Sequence, residues 1–320
     1  MSFSIPRKST FFHKKPILTE KNLPSQKGKV FIITGASGGI GKEITSILYG
    51  ANAKVYLATR SEAKTTATIT DIRKAHPHSS GELIHLPLHL DDLSTIKASV
   101  ERFLAAENRL DVLWNNAGVM VPPQGSTSVQ GHELQYGVNC LGHFLFTRLL
   151  HPLLVETVKQ EARQRRDSVR VIWVSSSAAD HVSKPAIDFE NMDYRYYDEG
   201  IWSKYARSKA GNVLQAVEYA RRAGAEGIIS LTLNPGNFLT GLQGTMPRWQ
   251  VALFKMVAQD PKNGAYTELF AGLDESITRK DNGGWVSPYG KLESVREDLR
   301  DPALGKMFWE WCEEQVQAFL

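Results

Sequence analysis

The segment that most constrains this chain is Val30-Phe-Ile-Ile-Thr34 running into Gly35-Ala-Ser-Gly-Gly-Ile-Gly41. A short run that is apolar on both alternations is what a strand covered on both faces requires. The glycines behind it permit a tight turn, and Lys42 to Tyr49 opens as a helix. Strand, bare backbone and helix N-terminus in that order let main-chain amides approach a pyrophosphate. A glycine-rich run alone is weak evidence, since a tight turn without a ligand has the same composition.

The same alternation continues downstream, which is the signature of β-α-β units. Strands are expected at Lys54 to Ala58, Leu83 to Leu88, Leu110 to Trp114, Val169 to Val174 and Ile228 to Leu233, with a short one near Trp285 and Val286. Helices are expected at Leu93 to Ala105, Gly137 to Leu154 and Lys204 to Arg222. Near the C-terminus Leu304, Phe308, Trp311, Cys312 and Phe319 share one helical face, which should pack on the body. No repeat or linker divides the chain. The expected architecture is one doubly wound α/β domain over residues 29–290, a parallel sheet of about seven strands. An N-terminal arm (1–28) precedes it and a C-terminal helical extension (291–320) follows.

Composition excludes several function classes. Of 320 residues 42% are hydrophobic and 22% charged, an ordinary globular balance, and 38 basic against 34 acidic side chains give no electrostatic case for nucleic acid. Cys140 and Cys312 are too few for a disulfide framework and suit a reducing compartment. The apolar stretch His143 to Val155 is interrupted by Arg148, His151 and Pro152, so no membrane span is expected. The N-terminus has no apolar leader, and a cytoplasmic location is expected. His76, His78, His85 and His89 lack companions at metal-ligand spacing, so no metal site is expected. Arg163 to Arg166 reads as a solvated helix end.

Further motifs follow the turn in order: Asn115-Asn116-Ala117-Gly118, Asn139 in Val138-Asn-Cys-Leu-Gly-His-Phe144, Ser176, Tyr205-Ala-Arg-Ser-Lys209 and Asn234-Pro-Gly236 with Thr240 four residues on. With Thr34-Gly-Ala-Ser-Gly-Gly-Ile-Gly41 these resemble the TGxxxGxG, NNAG, YxxxK and PGxxxT segments of the short-chain dehydrogenase/reductase family, over residues 34–240. Within it the chain is similar to the retinol-dehydrogenase and WW-domain-oxidoreductase-like branch, especially its fungal members. No WW module is present. The resemblance implies a Rossmann-type sheet and a nicotinamide dinucleotide held by Gly35, Ser37, Gly39, Ile40, Gly41, Leu90, Asn116, Ala117, Gly118, Pro235, Gly236 and Thr240.

Enzymes using NAD hold the ribose hydroxyls with an acid at the end of the second strand, whereas a basic group there suits the 2′-phosphate of NADP. Here that strand ends Thr59-Arg60. NADP(H) is therefore expected over NAD(H), with Arg60 as phosphate contact and Ser37 and Lys42 as helpers. At the position after the third strand where relatives carry Asp, the ungapped alignment places His89, with Asp91 and Asp92 just beyond.

The resemblance also assigns the catalytic group. Tyr205 is the proton donor or acceptor, and Lys209, one helical turn on, should lower its pKa and hold the nicotinamide ribose. Ser176 should polarise the substrate carbonyl. Asn139 should hold a water that relays protons from Lys209. The implied reaction interconverts a hydrophobic ketone or aldehyde and its alcohol, in a setting such as secondary metabolism. Its walls are expected in residues 181–203 (Phe189, Met192, Tyr194, Tyr196, Tyr197, Ile201, Trp202) and 237–260 (Phe238, Leu239, Leu242, Met246, Trp249, Leu253, Phe254). The same side chains could instead pack on the body or on a second copy in a homodimer. The rival reading is a dinucleotide-sensing or interaction protein on the same fold without turnover.

Overall fold

The computed structural model describes residues 15–161, 167–236, 238 and 260–320. Eight strands form one sheet: β1 (Val30–Thr34), β2 (Lys54–Thr59), β3 (Glu82–Pro87), β4 (Val112–Asn115), β5 (Arg170–Val174), β6 (Ile229–Leu233), β7 (Trp285–Ser287) and β8 (Lys291–Glu293). Their order is β3-β2-β1-β4-β5-β6-β7-β8, parallel throughout except for the antiparallel pair β7 and β8. The chain winds outward from β1 to β3 and returns to β4 on the other side of β1. That reversal opens a crevice beyond the carboxyl ends of β1 and β4, where doubly wound sheets take their ligands.

Two apolar cores follow from the two covered faces. One buries Phe31, Ile33, Leu57, Trp114 and Ile172 under α1 (Gly39–Gly50), α2 (Glu62–Ala75) and α6 (Pro261–Leu273). The other buries Ile32, Leu113, Val171 and Trp173 under α3 (Leu93–Leu104), α4 (His143–Glu161), α5 (Ile201–Ala223) and α7 (Pro302–Val316). Alternate residues of each strand thus serve opposite cores, which is why the strands read as unbroken apolar runs.

Four differences from the sequence reading have physical causes. The sheet has eight strands, not about seven: Lys291–Glu293, inside the segment read as helical, turns back along β7 and closes that edge. The expected helix from Gly137 begins instead as a π-helical turn, Tyr136–Gly142, and then runs as α4 to Glu161. It passes through Pro152 because Leu150, Leu154 and Thr157 are buried on either side. The combined run Tyr136–Glu161 is long and apolar enough to cross a membrane by length and composition, but 67% of its most apolar window lies buried inside the fold. In α7 the buried side chains that sequence spacing missed are Val316 and Trp309, the latter against Phe144 at 4.7 Å and stacked on Tyr219 at 5.9 Å.

Candidate active site

The glycine turn leaves β1 and enters α1 within its own glycine run. Gly35 (φ +71°) and Gly39 (φ +54°) occupy the left-handed region, which costs a residue with a Cβ dearly. A Cβ on Gly41 would lie 2.6 Å from Asn116 Nδ2 and 2.8 Å from the Gly35 carbonyl. Ser61, Asp92, Asp260 and Asp301 cap α2, α3, α6 and α7 with their side chains; α5 follows Gly200 without a side-chain cap, and α1 follows Gly38 without one. Its first amides and the positive end of its dipole are open to an anion. The turn therefore fits the pyrophosphate of a dinucleotide. Asn116 Nδ2 donates to the Thr34 carbonyl at 2.7 Å and Ala117 N to Thr34 Oγ1 at 2.8 Å, fixing the NNAG segment against the turn.

At the far end of the crevice Thr59 is buried and its hydroxyl is hydrogen-bonded to Thr65, so it turns inward. Arg60 is exposed at the end of β2 and makes no ion pair among the described residues. Lys42 is paired with Asp71 at 2.8 Å, and Thr68 holds the Ser37 carbonyl at 3.2 Å. Asp92 accepts from Ser94 and Gln130 as the cap of α3, and His89 is exposed. Leu90 is buried at the entry to α3.

Beyond β5 the neighbouring serines separate by partner. Ser175 Oγ donates to the Lys209 carbonyl at 2.7 Å and is buried, a structural role. Ser176 begins the next turn, its Oγ accepts from Ala178 N at 3.2 Å, and its hydroxyl acts on Tyr205 by favouring the ionised phenol. Burial pushes the Tyr205 phenol up to about 12, with the Ser176 hydroxyl opposing. The expected lowering by Lys209 is not found: its Nζ stands 5.9 Å from the ring centroid and burial sets the direction of the shift. The phenol is therefore protonated at neutral pH.

Lys209 Nζ donates to the Val174 carbonyl at 2.8 Å and to Asn212 Oδ1 at 3.3 Å. Burial pushes it down to about 8, while Cys140 and Glu268 act upward. Asn139 Oδ1 accepts from Val119 N at 2.8 Å, and its Nδ2 donates to the Val119 carbonyl and to Ser208 Oγ, both at 3.0 Å. A Cβ on Gly118 would meet Asn139 Oδ1 at 3.2 Å and Lys209 Nζ at 3.6 Å, so this glycine keeps the space beside the lysine open. Under the site, Gly236 (φ +113°) closes the turn after Asn234 and Pro235, and Thr267 Oγ1 reaches the Pro235 carbonyl at 3.4 Å.

Around Tyr205 lies a small apolar cluster separate from both cores: Met120 and Val121 with Ala178 and Ile201 alongside. Trp202 presents its ring edge-on to Tyr205 at 6.4 Å and is 46% exposed. Of the other candidate wall residues, Phe189, Met192 and Tyr194 pack on the body, and Tyr196 and Tyr197 face outward. Phe238 is buried beside Gly236. Thr240, the remaining large side chains of 237–260 and the cluster Arg163 to Arg166 lie outside the described residues.

Comparison with known proteins decides the family. The short chain dehydrogenase family profile matches residues 29–187. A short-chain dehydrogenase/reductase of Emericella nidulans, pkfC, is 51% identical over 314 residues, 97% of this chain and 99% of that one. One from Phomopsis amygdali is 47% identical, covering 97% and 96%. This chain belongs to the short-chain dehydrogenase/reductase family. Among solved structures it resembles an uncharacterized protein of Mycobacterium paratuberculosis, with TM-score 0.69 and 27% identity over 94% of this chain and 97% of that one. It is thus a fungal-type short-chain oxidoreductase, and the motif residues Ser176, Tyr205, Lys209 and Asn139 gather at one end of its sheet.

Three residues of this short-chain oxidoreductase escaped the motif reading. Gln135 is fully buried, accepts from Val121 N at 3.1 Å and donates to the Ile201 carbonyl at 3.2 Å, tying together the two sides of the apolar cluster. It holds Val121 at φ +52°, a costly conformation for a β-branched residue. His143 and Asn212 both reach the Asn139 carbonyl. The signal for Asn212 was its place three residues after Lys209 on the same helix. No sequence spacing points to Gln135 or His143.

Proposed function

We propose that this oxidoreductase reduces a hydrophobic ketone or aldehyde with NADPH, or runs the reverse oxidation, in the cytoplasm and as part of secondary metabolism. The observation that carries the reading is the buried, protonated Tyr205 phenol, acted on by Ser176 and surrounded by Met120, Val121, Ile201 and Trp202. A nicotinamide dinucleotide, when bound, supplies or accepts the hydride. Tyr205 Oη gives a proton to the carbonyl oxygen as it becomes an alcohol, and Ser176 Oγ stabilises charge developing there. Lys209 keeps a positive charge beside the phenol while it is ionised. Exposed Arg60 beside inward-turned Thr59 supports NADPH over NADH, because a guanidinium fork suits a phosphate and no carboxylate stands there for the ribose hydroxyls. The apolar surround supports a bulky, uncharged substrate.

The test is Tyr205→Phe assayed with NADPH and a panel of aryl ketones and aldehydes. Turnover should fall by about 10²–10⁴-fold, with the NADPH dissociation constant changed only a few-fold. Preserved turnover would contradict the assignment.

A further inference from the structure

Lys209 and the Asn139 carbonyl are joined by one side chain. Asn212 Oδ1 accepts from Lys209 Nζ at 3.3 Å, and its Nδ2 donates to the Asn139 carbonyl at 2.6 Å. The donor end of the amide thus faces a carbonyl and its acceptor end an ammonium, the only orientation that satisfies both. Asn212 is 3% exposed, and Gln215 Oε1 stands 3.4 Å from the same Nδ2.

The Asn139 carbonyl has a second partner. Burial pushes the His143 imidazole down to about 3, so the ring is neutral, and a carbonyl at 3.2 Å requires the proton on Nδ1. Nε2 then accepts from Thr34 Oγ1 at 2.9 Å, which in turn accepts from Ala117 N. Every donor meets an acceptor from the glycine turn through His143, Asn139 and Asn212 to the lysine. The whole line is buried, where such bonds are stronger and a missing partner costs more.

We infer that Asn212 is a positioning residue for Lys209: its side-chain amide locks the ammonium to the Asn139 carbonyl and favours the charged form of the lysine. The inference rests on the oxidoreductase reading above. The titratable groups facing Lys209 are Tyr205 on its own helix, Cys140 and His143 on the π-helical turn and α4, and Glu268 on α6. Besides the Val174 carbonyl, Asn212 supplies the neutral side chain that contacts the lysine Nζ, so its replacement changes the lysine's charge equilibrium without touching the titratable groups.

The experiment is the pH dependence of NADPH binding, read by energy transfer from tryptophan to the reduced nicotinamide over about pH 6 to 10, in the unaltered protein and in Asn212→Leu and Asn212→Asp. Losing the acceptor should make the lysine lose its proton at lower pH, and a carboxylate should hold the proton to higher pH. The alkaline inflection in affinity should therefore move down in Asn212→Leu and up in Asn212→Asp, by about half a pH unit or more each. A purely structural asparagine would weaken binding at all pH values and leave the inflection in place. Should either variant fail to fold, Asn212→Ser takes its place and is expected to move the inflection down. An inflection that is absent, unmoved or displaced in the same direction by Leu and Asp overturns the inference while the oxidoreductase reading stands. No binding of NADPH by the unaltered protein overturns both.

Discussion

At Gly41 one added carbon would lie 2.6 Å from Asn116, whereas at Trp202 an entire indole is accommodated with 46% of it exposed. Both positions border the same crevice. The glycine turn is specified by what the backbone cannot tolerate, so its geometry is rigid and its composition narrow. The wall beside Tyr205 is specified by what side chains cover, and many apolar side chains can cover a similar area. On the proposed reading, cofactor binding falls to a region that cannot vary and substrate choice to one that can.

Changes at the rigid end should have the larger effects. Gly41→Ala drives a Cβ against a backbone carbonyl as well as Asn116, an overpacking worth about 3 kcal/mol, so NADPH affinity should fall by roughly a hundredfold in a binding titration. A loss below about threefold would show that the turn can relax and would weaken the contrast. Arg60→Ala removes a charge-assisted contact and should weaken NADPH by about tenfold while leaving NADH within twofold. Equal losses would remove Arg60 from phosphate recognition. At the variable end, Trp202→Ala should raise KM for a hydrophobic aryl ketone by about three- to tenfold, with the melting temperature unchanged and NADPH affinity intact. A matching loss of NADPH affinity would place Trp202 in the cofactor region instead.

The smallest effect concerns stability. Glu268 on α6 is fully buried with neither carboxylate oxygen partnered among the described protein atoms, and burial raises it from 4.5 to about 8. A folded pKa above the unfolded one means that the folded state binds the extra proton, so this group's contribution is complete below about 4.5 and is lost as pH rises through about 8. Glu268→Gln should therefore gain in melting temperature over the unaltered protein as pH is raised across that window. Parallel curves for the two proteins would contradict it.

How far the sequence could be read follows the same division. The strand, turn and helix at Val30 to Gly50, the NNAG segment, Ser176 and the Tyr205 and Lys209 pair were legible because each requires particular residues at fixed spacing. Of the two neighbouring serines, Ser175 is committed to the Lys209 carbonyl. The strand β8 was not legible: three residues, Lys-Leu-Glu, give no periodicity, and only pairing with β7 makes them a strand. The π-helical turn at Tyr136–Gly142 hid behind ordinary helical composition. Tyr205's raised pKa reflects burial by residues far apart in sequence, which no local pattern reports. Phe189, Met192 and Tyr194 looked like wall residues on composition but pack on the body, because large apolar side chains serve cores and crevices alike.

The most direct test of the account is a side-by-side titration of the purified protein with NADPH and NADH, which needs no knowledge of the substrate. Saturable binding with NADPH about tenfold or more tighter is the predicted result, given the uncapped α1 and exposed Arg60. Binding of neither dinucleotide would contradict it and leave the Ser176, Tyr205 and Lys209 group without a reaction to perform.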